Sequence, residues 1–332
     1  MCPGVEVIAV CDANADAARA LGISPVYTDY RDVLDGAEID AVVISTPNFL
    51  HREITLAALA AGKHVLCEKP LALNRHEAGE MLNAAERSRT VHMTAFTYRF
   101  TPAVQYAKHL IDQGELGKLR TVRAAYQMAL STHLLGWRST KRFAGSGVLA
   151  DIGSHLVHLV EFLAGDIRAL TASAHRFRED PASDVDDWFA FLTEFDDGAR
   201  GTIEISRVAP GHGAGIGEDM FIELDGTNGS ISFSLQNPWS LTGALGEDGR
   251  NPEGPIRHYD VPEEFLKLPG SPRDIHAHDR RWGYRYDQAF QFVESVRLGV
   301  ARAPSFVDGV RCQAVLDAAI ESARTREWVD IP

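Results

Sequence analysis

Ile39–Ala78 reads IDAVVISTPNFLHREITLAALAAGKHVLCEKPLALNRHEA, and its hydrophobic rhythm decides the fold. AVVIST (Ala41–Thr46) is short, continuous and β-branched, the pattern of a strand buried on both faces. Leu50–Ala61 has helical spacing and is closed by Gly62. HVLCE (His64–Glu68) is a second strand and Asn74–Ser88 a second helix. Toward the N-terminus, VEVIAVC (Val5–Cys11) reads as a buried strand and Asn14–Leu21 as a helix that Gly22 stops. A short strand around Pro25–Thr28 and a helix ending near Gly36 follow. On the other side come a strand at Val91–Phe96 and a helix at Thr101–Gln113, capped by Gly114. Strand and helix in alternation predict an α/β fold built on a doubly wound parallel sheet.

After Gly117 the period changes. Leu119–Leu130, Trp188–Phe195, Gly201–Val208, Met220–Leu224 and Ser230–Leu235 are alternating strands, joined by turns such as DDG and GTNG. Helices are predicted at Ser154–Ala164, Tyr284–Leu298 and Asp308–Thr325, and Gly243–Pro255 reads as a mobile surface loop. The chain thus divides into a parallel-sheet domain, residues 1–118, and an α+β domain around a largely antiparallel open sheet, residues 119–332.

The chain has 332 residues, 45% of them hydrophobic, enough for two packed domains. A net charge of −13 argues against a nucleic-acid partner, which needs a basic stripe to meet phosphates. No apolar run is read as a membrane span, and MCPGVEVIAV lacks the basic start of a signal peptide. Cys2, Cys11, Cys67 and Cys312 are scattered, which fits reduced thiols and a cytoplasmic location.

Lys69 follows Glu68 at the C-terminal end of a parallel strand, the edge where open α/β sheets bind ligands. Pro70 restricts Lys69 to extended backbone and so fixes where its side chain departs. An ammonium there can hydrogen-bond a substrate hydroxyl and stabilise the oxyanion that develops as hydride leaves. Asp151 and His155 stand four residues apart at the start of a predicted helix, so they share a face. An imidazole is suited to take the hydroxyl proton, and a carboxylate to anchor a second hydroxyl. The alternative for this pair is a helix cap and a satisfied core histidine.

The Ile39–Ala78 stretch resembles the Gfo/Idh/MocA (glucose–fructose oxidoreductase and inositol dehydrogenase) family. The resemblance continues through FTYRFTPA (Phe96–Ala103), GSGVLADIGSH (Gly145–His155), PSFVDG (Pro304–Gly309) and AVLDAAIESARTREW (Ala314–Trp328). It implies a Rossmann-type NAD(P)-binding domain, then an open-sheet domain that supplies the substrate site and a homo-oligomer interface, dimer or tetramer. It also implies that Lys69 touches substrate and nicotinamide ribose, and that Asp151 and His155 are substrate anchor and acid/base. Thr46, Pro47, Asn48 and His51 match a cofactor-lining T-P-N-x-x-H loop, and Glu68 stands beside the cofactor. Trp137 and Arg138 correspond to a pair near cofactor or substrate. Tyr126 and Gln127 are candidate pocket residues on the first strand of the second domain. Tyr98 and Arg99 fall in the aromatic–Arg–Phe segment, where Arg99 suits a structural role. One departure is His158, where relatives carry an aspartate.

Asp12 ends a strand where a Rossmann domain places its ribose-binding acid. A carboxylate there repels a 2′-phosphate, and Ala13 and Asn14 offer no cation, so NAD is preferred over NADP; Asp12 could also cap the next helix. A G-x-G-x-x-G loop is not found. GHGAGIG (Gly211–Gly217) has the wrong spacing and no following helix. Against the family pattern, roughly 30 residues of strand, loop and helix are missing before Pro3. The expectation is an upstream start or a degenerate copy, with the edges of Val5–Cys11 and Ala41–Thr46 left unpaired or closed on each other.

Three functions follow. The leading one is an NAD-dependent dehydrogenase oxidising a hydroxyl of a sugar, anhydrosugar or inositol-like polyol. The second is a non-catalytic sugar sensor on the same fold. The third is a metal-dependent hydrolase using Asp151, His155 and His158, against the absence of a clear further ligand; His276, His278 and Asp279 read as a surface cluster. No metal site is assigned.

Overall fold

A computed structural model describes residues 2–130, 136–212, 219–251, 254–276 and 283–332. In the first half, β1 (Val10–Cys11), α1 (Ala15–Arg19), β2 (Val26–Tyr27) and α2 (Tyr30–Gly36) precede β3 (Ala41–Ile44) and α3 (Asn48–Ala60). Then come β4 (His64–Cys67), α4 (Arg75–Ser88), β5 (His92–Thr94) and α5 (Pro102–Asp112). All the strand pairs here are parallel, and they fall in two separate sheets: β1–β2, and β3–β4–β5. The buried strand expected at Val5–Cys11 is corrected to two residues, with Val7 half exposed. On β3 the expectation of burial on both faces fails at Val43, which is 67% exposed beside Ile44 at 3%. The physical reason is shared. Each strand is an edge, so its outer backbone groups and one side-chain row have no neighbouring strand.

The second half contains β6 (Leu119–Gln127), α6 (Lys141–Ala144), a π-helical turn at Leu149–Gly153, α7 (Ser154–Ala164), β7 (Ile167–His175), β8 (Trp188–Phe195) and β9 (Arg200–Ser206). It continues with β10 (Asp219–Gly226), β11 (Ser230–Ser234), β12 (Ser240–Ala244), α8 (Gly246–Arg250), β13 (Arg257–Asp260), α9 (Gly283–Leu298), α10 (Phe306–Thr325) and β14 (Val329–Asp330). Nine strands form one sheet in the order β13-β12-β11-β10-β6-β9-β8-β7-β14, antiparallel throughout except for the β6–β9 pair. Its inner face packs on α5, α7 and α10 through Val122, Ile203, Ile222, Leu156 and Val315. Its outer face carries paired charges and exposed apolar groups, among them Arg123–Glu223 and Leu192.

Part of the loop expected at Gly243–Pro255 folds as the end of β12 and as α8. Lys141–Ala164, of which only Ser154–Ala164 was expected to be helical, is a 24-residue helical run long and apolar enough to cross a membrane by composition alone. Of its apolar window 83% is buried inside the fold, as in a core helix. The C-terminal α10 packs on α4 as well as on β7 and so joins the two halves. Its Asp317 carboxylate accepts from the Arg75 backbone at the start of α4.

Candidate active site

The C-terminal tips of β3 and β4 and the approach to α7 enclose a cleft of about 290 Å³, lined by Ser45, Thr46, Glu68, Lys69, Trp137, Arg138 and Asp151 among others. Glu68 and Lys69 occupy the tip of β4, with the Lys69 backbone N–H donating to Glu68 Oε2 at 3.2 Å. The Lys69 ammonium donates to the Asp151 carbonyl at 2.6 Å and stands 3.8 Å from its Oδ1. Arg138 Nε lies 3.5 Å from that same oxygen, with its guanidinium stacked over Trp137 at 4.3 Å. Asp151 is therefore an anion held between two cations, at the junction of the two halves.

His51 shows why its loop keeps its shape. It is fully buried, with Nδ1 3.0 Å from the Pro70 carbonyl and Nε2 2.9 Å from that of Thr46. Burial pushes its pKa down, so the neutral ring has one proton to give to one of these carbonyls. It is a strut between the β3 and β4 tips as well as part of the cleft wall. Asn48 donates to the Ala144 carbonyl at 3.0 Å and ties the first turn of α3 to α6. Thr46 Oγ1 is buried without a partner, a polar atom suited to a ligand.

Eight of the expected residues, Thr46, Asn48, His51, Glu68, Lys69, Trp137, Arg138 and Asp151, line this one cleft. Pro47, Asp12, Tyr126, Gln127 and His155 do not. Asp12 is exposed at the end of β1 and accepts from the Asn14 backbone at 2.7 Å, while Asn14 itself caps α1. Tyr126 is buried, its hydroxyl 3.2 Å from that of Tyr98. Asp151 stands in a π-helical turn that runs directly into α7, where His155 follows one turn later. Asp151 faces the cleft, whereas His155 is buried with its ring 4.4 Å from Tyr98 and its Nδ1 unpartnered. Burial, followed by the Lys69 ammonium, pushes the His155 pKa well down, so the ring is neutral at physiological pH.

His158 does not join Asp151. Its ring stacks on Phe96 at 4.0 Å with Phe162 at 6.5 Å, and among the described residues no group of His, Cys, Asp or Glu is arranged to hold a metal ion. The hydrolase arrangement of Asp151, His155 and His158 has no geometric basis. Arg99 lies 3.1 Å from the Asp308 carboxylate and over Phe162, a structural place. His276 is described, whereas His278, Asp279 and most of GHGAGIG (213–217) lie outside the described residues. Ser45, Ser146 and Gly147 line the cleft without having been picked out. The glycine run GSG before Asp151 was the available signal, because it lets backbone approach closely.

Comparison with known proteins decides the lineage. Residues 1–96 match the family model described as an oxidoreductase family with an NAD-binding Rossmann fold, and residues 104–232 match the GFO/IDH/MocA C-terminal domain. The chain belongs to the Gfo/Idh/MocA oxidoreductase family. Levoglucosan dehydrogenase of Pseudarthrobacter phenanthrenivorans is 34% identical over 97% of this chain and 89% of its own. A structure of levoglucosan dehydrogenase in complex with NADH and levoglucosan superposes with a TM-score of 0.88 at 33% identity, covering 98% of this chain and 90% of that one. Glucose-6-phosphate 3-dehydrogenase of Bacillus subtilis is 28% identical over 95% of this chain and 89% of its own. Membership makes the first half an NAD-binding Rossmann domain and the protein an oxidoreductase.

Proposed function

We propose that the chain oxidises a ring hydroxyl of a sugar, anhydrosugar or inositol-like polyol, with NAD as the oxidant. The observation that carries this reading is the Lys69 ammonium at the β4 tip, beside the Asp151 carboxylate and inside the cleft. The residues present suit the cofactor. The cleft volume fits a nicotinamide-sized group, the Thr46 hydroxyl is unpartnered, and Asn48, Glu68, Lys69, Trp137 and Arg138 supply donors, acceptors and an aromatic wall. Asp12, at the end of β1, is assigned to the adenosine ribose, which favours NAD over NADP. When bound, NAD supplies the acceptor for hydride.

The chain's own residues do the rest. Lys69 donates to the reacting oxygen and opposes the charge that develops as the C–H bond breaks. Asp151, held by Lys69 and Arg138, accepts from a neighbouring hydroxyl and orients the ring. His155 is assigned the O–H proton: it lies behind the cleft wall, near enough to Lys69 to feel its charge, and burial keeps its imidazole neutral and able to accept. Tyr126 and Gln127 are assigned to the sugar side, and Pro47 to the cofactor loop.

The outer face of the nine-stranded sheet is proposed as a self-association surface, tested by light scattering. A cytoplasmic location is proposed from four free cysteines. The functional test is a panel of levoglucosan, inositols and free and phosphorylated glucose with NAD, followed by the near-ultraviolet absorbance of NADH. NADH formation with at least one neutral sugar is expected. Sugar binding without NADH formation would return the sensor reading.

A further inference from the structure

The segment Asp184-Val185-Asp186-Asp187 leads into β8, and the proposed chemistry assigns it nothing. Its side chains nonetheless reach the backbone of both segments that carry site residues. Asp186 Oδ1 accepts from the Ser146 hydroxyl at 2.5 Å and the Gly147 N–H at 2.8 Å, while its Oδ2 accepts from the Leu149 N–H at 3.1 Å. The Asp186 carbonyl takes the Val148 N–H at 3.1 Å. Four donors at the entrance to the π-helical turn thus end on one residue. The turn they enter holds Asp151, and α7 with His155 follows directly.

Two further features make this a fixed clamp. A Cβ on Gly147 would lie 2.1 Å from the Asp186 carbonyl oxygen, so backbone meets backbone with no room for a side chain. The next residue, Asp187, is 1% exposed and faces the opposite way, accepting from Arg207 Nε at 2.9 Å and the Arg178 backbone at 2.9 Å. The large sheet therefore anchors Asp187, and Asp187 anchors Asp186. Two residues earlier, Asp184 accepts from the Lys141 N–H at 2.6 Å and donates its own N–H to the Ser139 carbonyl at 3.1 Å. That contact fixes the chain just after Trp137 and Arg138.

We infer that Asp186 is a positioning residue, whose carboxylate holds the backbone before Asp151 so that Asp151 meets Lys69 and Arg138 in the cleft. A carboxylate suits this task because it only accepts, and backbone donors at the entrance to a helix need acceptors. Asparagine has the same shape but turns one acceptor into a donor aimed at other donors. The inference rests on the proposed dehydrogenase reading for its kinetic consequence, and on geometry alone for the clamp.

The experiment compares wild type, Asp186→Asn and Gly147→Ala by amide hydrogen exchange and by steady-state kinetics with NAD and the best sugar of the panel. Exchange should rise about tenfold or more at residues 147–151 in both variants, with the amides of β9 unchanged. Turnover should fall about 10–100-fold with a raised KM for the sugar in both variants, while in Asp186→Asn, which does not line the cleft, the dissociation constant of NADH stays within about twofold. Unchanged exchange at residues 147–151 overturns the clamp. Faster exchange with wild-type kcat and KM overturns the positioning role, because a purely structural contact would lower the melting temperature and leave the kinetics per NADH-binding site intact. If wild type oxidises no sugar, the dehydrogenase reading fails, and the exchange result still decides the clamp.

Discussion

The antiparallel and the parallel regions of this molecule were built under different constraints. The nine-stranded sheet is continuous, and one large core joins its inner face to α5, α7 and α10. The parallel strands fall into a pair and a trio, with small clusters around Ile44, Val65 and Met81 or around Leu66, Val91 and Met93. Antiparallel strands find their partners across short turns such as Gly226–Gly229. Parallel strands need a neighbour brought from a distant segment, and without one they remain edges. The difference matters because the site straddles both regions. Lys69 comes from the trio, whereas Asp151 hangs from the large sheet through Asp186 and Asp187. The cleft is thus walled by the continuous scaffold on one side and the divided one on the other.

The largest effect expected is at the point where the two regions meet. Lys69→Ala should lower kcat/KM by about 10²–10³, the scale of losing one donor to a developing oxyanion, with a smaller loss of NADH binding. Equal loss of NADH binding would mean that Lys69 serves the cofactor side alone. Core truncation sharpens the contrast in stability. Ile203→Ala and Ile44→Ala each remove a buried side chain and should cost about 2–4 kcal/mol. Chemical denaturation followed by two probes should show Ile203→Ala destabilising the whole fold. Ile44→Ala should loosen the parallel strands first, and a single coincident transition in both variants would erase the distinction.

Acid should expose the buried histidines. His51, His155 and His158 are pushed down by burial, and His92 is pushed down to about 4, its Nδ1 accepting from the Phe306 N–H. The unfolded chain therefore binds protons that the native chain refuses. Their contribution is full above pH about 6.5 and is lost as pH falls from there toward 4, by up to about 1.4 kcal/mol per pH unit for each ring. Glu161, pushed up to about 8 by burial, works in the opposite sense, its contribution declining as pH rises from about 4.5 through 8. Melting temperatures between pH 6.5 and 5 should fall as acid is added, and a flat profile would mean the imidazoles are charged or solvated in the fold. The smallest effect is at the bare edge. Val43→Thr should change stability by less than about 0.5 kcal/mol because Val43 is 67% exposed. A much larger loss would show that a strand covers that edge in solution.

The sequence carried β3, β4 and β5 closely, and it carried β8 and α7 to the residue. It missed β7, whose IRALTASAH alternates weakly and gains its place from β8, β14 and α10. It missed β12 and β13 because their pairing follows from the sheet already formed. Within the site, a strand tip followed by proline was enough to aim Lys69. The π-helical turn that holds Asp151 was not legible, since no periodicity in the sequence announces one. Asp186 escaped notice for a similar reason. An acidic run before a strand reads as a turn until its carboxylates are seen on another segment's backbone.

The most direct test of the central claim follows the hydride itself. Wild type, given NAD and the best sugar of the panel deuterated on its ring carbons, should yield NADH heavier by one deuterium, read by mass spectrometry, and Lys69→Ala should yield about 10²–10³-fold less per unit time. Unlabelled NADH, or equal labelling rates in the two proteins, would contradict the account.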